Sequence, residues 1–338
     1  MKFNNLYLES FASLTPDTFL STEEIESELS DLYSRCRFSH GRIELQTGVK
    51  RRGYFDQMMP SAIAALAAKK ILNDENKDRI DLLIHASVCR DFLEPATAAR
   101  VHHLLDLKED CMISDISNAC LGVLSSILFA GQLIESGKIN SALIVSGENA
   151  GPLIKETLKK LKMDQSIDRK TFKPFLASLT IGSAGVAFIL SGDKSKARAK
   201  INGGVTLTFS KASELCVGDG STDGLMMQTD SEELLLQGLE LAKKNWLKYQ
   251  EQFSSVPDKI IPHQVGVAHR FSLLNQLGLP LDRDFITFDL FGNTGSAAVP
   301  LSLIKASEAQ FFQQNDKIAL LGIGSGLTST MMELEWIK

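Results

Sequence analysis

Cys111-Met-Ile-Ser-Asp-Ile-Ser-Asn-Ala-Cys120-Leu-Gly122 is the stretch from which the fold can be worked out. Met112 to Ile116 has the apolar character of a strand. Leu121 to Ser136 repeats apolar residues at helical spacing, so Cys120 falls in a strand-to-helix turn. Free N–H groups and the positive end of the helix dipole gather at such a turn and favour thiolate over thiol. Cys120 is therefore a candidate nucleophile. Working outward, Asp81 to Val88 reads as a buried strand, Ala96 to Leu105 as a helix after Pro95, and Ala142 to Val145 as a strand. The order returns downstream. Ser231 to Tyr249 is helical, Lys259 to Pro262 strand-like, and Val265 to Leu277 helical with Gly278 as a stop. Ile286 to Leu290 then reads as a strand, Ser296 to Glu308 as a helix, and Lys317 to Gly322 and Thr330 to Glu335 as closing strands.

The class is α/β, and 338 residues with 44% hydrophobic content can bury a substantial core. The repeated order predicts two similar halves, residues 1–195 carrying the cysteine and residues 196–338 carrying a histidine and an asparagine. In open α/β sheets ligands gather beyond the carboxyl ends of strands. Cys120 and Asn293, at matching turns, should then face one crevice, with His263 ending the strand before that of Asn293. Lys155 to Lys173 and Lys211 to Thr229 interrupt the alternation and read as insertions or lids.

A net charge of -5 argues against a nucleic-acid binder, which needs a basic face. No stretch reaches the roughly 18 apolar residues of a membrane span, and the start lacks a signal-type apolar segment, so a soluble cytoplasmic protein is expected. Five scattered cysteines predict reduced thiols, with Cys36, Cys89, Cys111 and Cys216 as packing residues. His102 and His103 face different directions on a helix, and no metal site is expected. Gly322-Ile-Gly-Ser-Gly326 suggests a nucleotide loop, but such a loop opens a helix, whereas Leu327 to Glu335 reads as a strand. Lys50-Arg51-Arg52 and Lys155, Lys159 and Lys160 read as solvated faces that are also candidates for coenzyme A phosphates.

Three further residues have two readings each. His263 is either a satisfied histidine at a strand end or, beside Cys120, a general base or enolate stabiliser. Asn293, between Gly292 and Thr294, is either a turn residue or an oxyanion donor. Glu94, in Arg90-Asp-Phe-Leu-Glu94-Pro-Ala-Thr97, either complements a helix dipole beside Pro95 or is a carboxylate base.

These residues resemble the thiolase superfamily, in its 3-oxoacyl-carrier-protein synthase III branch. The resemblance runs from Thr47-Gly48-Val-Lys-Arg-Arg52 through Asn118-Ala-Cys120, His263-Gln264 and Gly292-Asn293-Thr294 to Gly322-Ile-Gly-Ser-Gly326. It implies a five-layered αβαβα fold, a homodimer, and Claisen condensation of acyl thioesters without a cofactor beyond its coenzyme A substrates. Cys120 would be the nucleophile and His263 with Asn293 an oxyanion pair, with backbone amides near Cys120 and Gly324 forming a second oxyanion site. Ser87-Val-Cys-Arg-Asp-Phe-Leu-Glu94-Pro-Ala-Thr97 and Leu321 to Leu327 look most like the OleA group, thiolases of long-chain olefin biosynthesis that join two fatty acyl-CoA molecules without decarboxylation. This implies that Glu94 reaches the partner subunit's site as a base, because an ordinary acyl-CoA must lose a weakly acidic α-proton. The alternatives are a decarboxylating synthase with a structural Glu94, an acyl transferase to an alcohol or amine, and a silent acyl-binding paralogue. His263-Gln264-Val265-Gly266 departs from the His-Gln-Ala-Asn segment of priming synthases, which leaves carrier-protein use open. No nucleotide-stacking tryptophan stands near Thr22-Glu23-Glu24, so the residues that hold the coenzyme A nucleotide are unassigned.

Overall fold

The computed structural model describes residues 1–219 and 225–338. After β1 (Tyr7–Leu14) comes a cap of β2 (Phe19–Ser21), α1 (Thr22–Glu28), α2 (Ser30–Cys36), α3 (Arg42–Thr47) and β3 (Arg51–Gly53). The first alternating run is α4 (Pro60–Lys69), α5 (Asp74–Lys77), β4 (Leu82–His85), α6 (Thr97–Leu105), β5 (Met112–Asp115), α7 (Gly122–Glu135) and β6 (Ser141–Glu148). Next are α8 (Gly151–Met163), α9 (Arg169–Phe172), β7 (Ala184–Ser191), β8 (Ala199–Thr208) and the antiparallel pair β9 (Cys216–Asp219) and β10 (Met226–Thr229). The chain ends with α10 (Ser231–Phe253), β11 (Lys259–Pro262), α11 (Val267–Leu277), α12 (Phe288–Phe291), α13 (Ala298–Glu308), β12 (Lys317–Gly324) and β13 (Thr328–Trp336).

Nine strands form one mixed sheet in the order β11-β12-β13-β8-β1-β7-β6-β4-β5. Its two halves meet at β1 and β8, paired only at Tyr7 with Lys200 and Leu8 with Ala199. Strand residues alternate faces, and here both faces are covered. In β7, Val186, Phe188 and Leu190 point to the central core while Ala187 and Ile189 point to an outer cluster; in β12, Ile318 and Leu320 point inward, Ala319 and Leu321 outward. The central layer is α7 and α13, whose Val123, Leu124, Ile127, Val299, Leu301 and Ile304 lie within the main core. A helix apolar on all sides is one enclosed on all sides. Outside one half lie α4 and α6, through Ala64, Ala67, Val101 and Leu105; outside the other lie α10 and α11, through Trp246, Tyr249, Leu273 and Leu274. The five layers are thus helix, half-sheet, helix, half-sheet, helix. Each fully buried Leu, Ile or Val contributes roughly 1.5–3 kcal/mol, which places most of the stability in these layers.

The structure departs from one expected element. Residues 286–290 do not form a strand: Asp284 makes a single bridge to Ile260, and Phe288–Phe291 is one helical turn. The cause is the buried Gln264 carboxamide, whose Oε1 accepts the N–H groups of Thr287 at 3.0 Å and Phe288 at 3.3 Å. Amides so occupied cannot pair with a strand.

Lys155 to Lys173 becomes part of α8 and α9. Their Ile154, Leu158, Leu161 and Phe172 pack with Ile25, Leu32 and Tyr33 of the cap in a cluster separate from the main core. Of the other expected lid, Lys211 to Thr229, residues Gly220 to Gly224 lie outside the described residues. Among the described residues no helix is long and apolar enough to cross a membrane.

Candidate active site

Cys120 lies between β5 and α7, as its surroundings in sequence predict. The turn is tight: Leu121 N–H donates to Asn118 O at 2.9 Å, and Ala119 adopts a left-handed φ of 45°, unfavourable for a residue with a Cβ. The thiol, however, is not the thiolate expected from the helix end. Burial first, then the nearby Glu148, push it up to about 12. Desolvation disfavours the charged form and here outweighs the helix dipole.

His263 follows β11, its N–H donating to Leu321 O at 2.8 Å. Burial first, and then the neighbouring His269, push the imidazole down to about 3, so it is neutral; its Nδ1 has no hydrogen-bond partner among the described residues. Asn293 is held by its backbone, with N–H donating to Thr180 O at 2.9 Å and C=O accepting from Gly182 N–H at 2.8 Å. Its side-chain Oδ1 accepts Gly295 N–H at 3.1 Å, which fixes the carboxamide and leaves its NH₂ group as the donor. Gly292, at φ 68°, turns the chain directly against the Thr180 carbonyl, where a side chain would collide.

The glycine loop is a connection between antiparallel β12 and β13, not a nucleotide loop. Gly324 brings this backbone against the nucleophile turn: a Cβ added there would lie 3.4 Å from Cys120 N. Cys120, His263, Asn293 and Gly324 line one cavity of about 2450 Å³. Sequence reasoning missed four of its residues. Glu148 is a buried carboxyl raised by desolvation; His269, pushed down to about 4 by burial, carries an unpartnered Nδ1; and Cys89 and Cys216, read as packing cysteines, line the cavity as well. His269 lies just beyond the His263-Gln264 motif, whereas Glu148 falls past the strand expected at Ala142 to Val145 and carried no signal in the sequence.

Glu94 is exposed and lies outside the cavity lining, although Val88, Cys89, Arg90 and Leu93 of the same loop belong to it. Nor does Glu94 serve the helix that follows. The first N–H groups of α6, on Thr97 and Ala98, donate to the Asp115 carboxylate at 2.7 and 2.8 Å. The basic candidates also separate. Arg52 is fully buried, donating to Leu20 O and Thr22 Oγ1, and is not on a solvated face. Lys155 and Lys159 line the cavity, and so does Arg42, which the sequence reading did not single out.

Residues 255–336 match the C-terminal family model of 3-oxoacyl-acyl-carrier-protein synthase III. Over 99% of its length the chain is 33% identical to the acyl-CoA:acyl-CoA alkyltransferase of Shewanella oneidensis, all of which is covered. The chain belongs to the acyl-CoA:acyl-CoA alkyltransferase family. The alkyltransferase of Xanthomonas campestris is 32% identical over 99% of this chain and 100% of its own. A crystal structure of cerulenin-bound OleA from Xanthomonas campestris matches with a TM-score of 0.94 and 32% identity, over 99% of this chain and 98% of that one. A cysteine-to-serine variant of that OleA, with bound lauric acid and lauroyl-CoA, matches with a TM-score of 0.93 at 32% identity over 99% and 100% of the two chains. The thiolase-like, OleA-type alkyltransferase fold expected from the sequence is the fold observed.

Proposed function

We propose that the protein condenses two fatty acyl-CoA molecules without decarboxylation, giving a 2-alkyl-3-keto product through an acyl-cysteine at Cys120. The observation that carries this reading is the single cavity of about 2450 Å³ in which Cys120, His263 and Asn293 meet. Small-ligand pockets hold about 300–1,000 Å³, so there is room for more than one long chain. With the thiol at about 12 and the imidazole at about 3, no ion pair exists before substrate binds. The Cys120 proton therefore leaves in the step in which sulfur attacks the thioester carbonyl, and coenzyme A departs as the thiol. Backbone amides at Cys120 and Gly324 receive the tetrahedral oxyanion. A neutral His263 and the Asn293 NH₂ group then hold the thioester oxygen of the second acyl-CoA as its enolate forms.

The base for that α-proton is Glu94 of a second copy of the chain. The exposed loop of Glu94 and the edge strand β5 support this. All four β5 residues are exposed, Met112 by 51% and Ile113 by 41%, and an unprotected apolar edge is a template for pairing. Arg42, whose Nε has no partner among the described residues, and Lys155 and Lys159 would hold the coenzyme A phosphates at the mouth.

The test is mass spectrometry of products from one long-chain acyl-CoA, with and without malonyl-CoA. From acyl-CoA alone, a 2-alkyl-3-keto thioester is expected, or the acid left when water hydrolyses it, or the ketone left when that acid loses carbon dioxide. Product only when malonyl-CoA is present would assign the protein to decarboxylating synthases. Cys120→Ala should abolish coenzyme A release.

A further inference from the structure

Glu148 ends β6 buried, and among the described residues no lysine, arginine or histidine pairs with it. Three backbone donors converge on it instead. Oε1 accepts Val88 N–H at 2.9 Å and Ser296 N–H at 3.0 Å, and Oε2 accepts Cys89 N–H at 3.1 Å. The donors belong to two separate segments, the turn after β4 and the turn after Asn293. The second segment continues to the reacting groups. The Ser296 hydroxyl donates to the Ala119 carbonyl at 2.5 Å, holding the left-handed residue before Cys120. Gly295, at φ 58°, lies against the carboxylate, since a Cβ there would be 2.9 Å from Oε1, and its N–H fixes the Asn293 side chain.

We propose that Glu148 is a positioning residue: by anchoring Ser296 to the turn after β4 it fixes the segment through which the Cys120 turn and the Asn293 turn are held to each other, so that nucleophile and oxyanion donor face the cavity together. This rests on the roles given to Cys120 and Asn293 above. A carboxylate is the side chain that suits the place. Burying a charge without a cation is unfavourable, and Glu148 also opposes ionisation of the thiol, so a residue serving only to fill space would be apolar. A glutamine retains the Oε1 acceptor, but its NH₂ group meets the Cys89 N–H donor to donor. The left-handed Ala119 conformation persists only where its surroundings over-determine it, and the Ser296 link does so.

The experiment compares coenzyme A release from a long-chain acyl-CoA, and the pH profile of Cys120 alkylation by iodoacetamide, in the wild type and in Glu148→Gln, Ser296→Ala and Cys120→Ala. Glu148→Gln should lose kcat by roughly 10- to 100-fold with KM within about twofold, because misplacement rather than binding is what changes. Its alkylation profile should move to lower pH as the neighbouring charge is removed. Ser296→Ala, which keeps the carboxylate, should show a smaller kcat loss in the same direction with no shift of the profile. Wild-type kcat in Glu148→Gln overturns the proposal. Should that variant fail to fold, wild-type kcat in folded Ser296→Ala overturns it equally. Coenzyme A release by Cys120→Ala would instead remove the nucleophile assignment on which both rest.

Discussion

Cys120 carries its proton at neutral pH because burial removes the thiolate from water and Glu148 repels it. Alkylation by iodoacetamide should therefore still be rising steeply at about pH 10, where an ordinary cysteine, half ionised at about 8.5, has levelled off. A plateau at the ordinary value would contradict the buried-thiol description. Three histidines act on stability in the acid range. His85, His263 and His269 are held at about 4, about 3 and about 4, each chiefly by burial. Their folded values lie below the unfolded value of about 6.5, so the stability of the neutral forms is complete above that pH and is lost as pH falls towards 4 and 3. Melting temperature should drop between about pH 7 and about pH 4, and less steeply in His269→Asn. Cys120, His263 and Asn293 could be found in the sequence because each stands next to a chain reversal marked by glycine, proline or a change of period. Glu148 and Gln264 could not. Their importance depends on which distant amides reach them, and spacing along the chain does not encode that.

Elements whose periodicity is set by burial were legible, as α7 and the strands β4, β6 and β12 show. α12 was not, because Gln264, more than twenty residues upstream in the chain, takes the amides a strand would have used. The same turn is sensitive to volume. A Cβ on Gly182 would collide with the Phe291 carbonyl, just before Asn293. Gly182→Ala should destabilise the fold by about 1–3 kcal/mol, as overpacking does, and should reduce condensation further by moving Asn293. Chemical denaturation and product yield test the two effects separately. At α6 the end group is Asp115, so Asp115→Ala should lose about 0.5–2 kcal/mol, the usual effect of losing a cap. Glu94→Ala should leave stability unchanged in the same melt.

At the scale of the molecule, the repeated α/β order was enough to predict the class and two similar halves, while the five layers followed from the resemblance to the thiolase superfamily. The proposed pairing of copies is a property of surfaces, which periodicity does not reveal. A charge on the β5 edge, Ile113→Lys, should shift sedimentation towards the monomer and reduce condensation more than the first coenzyme A release, because Glu94 would lose access to its neighbour's cavity. Equal loss of both steps would place the base within the same chain. The cap built from α1, α2, α8 and α9 has an apolar cluster of its own, distinct from the layered core that carries Cys120, His263 and Asn293. Substitutions at Ile154, Leu158 or Phe172, which line the cavity from the cap, should therefore change which acyl chains fit before they move Cys120, His263 or Asn293. The molecule is divided into a part that selection can reshape for new acyl chains and a part it must leave alone.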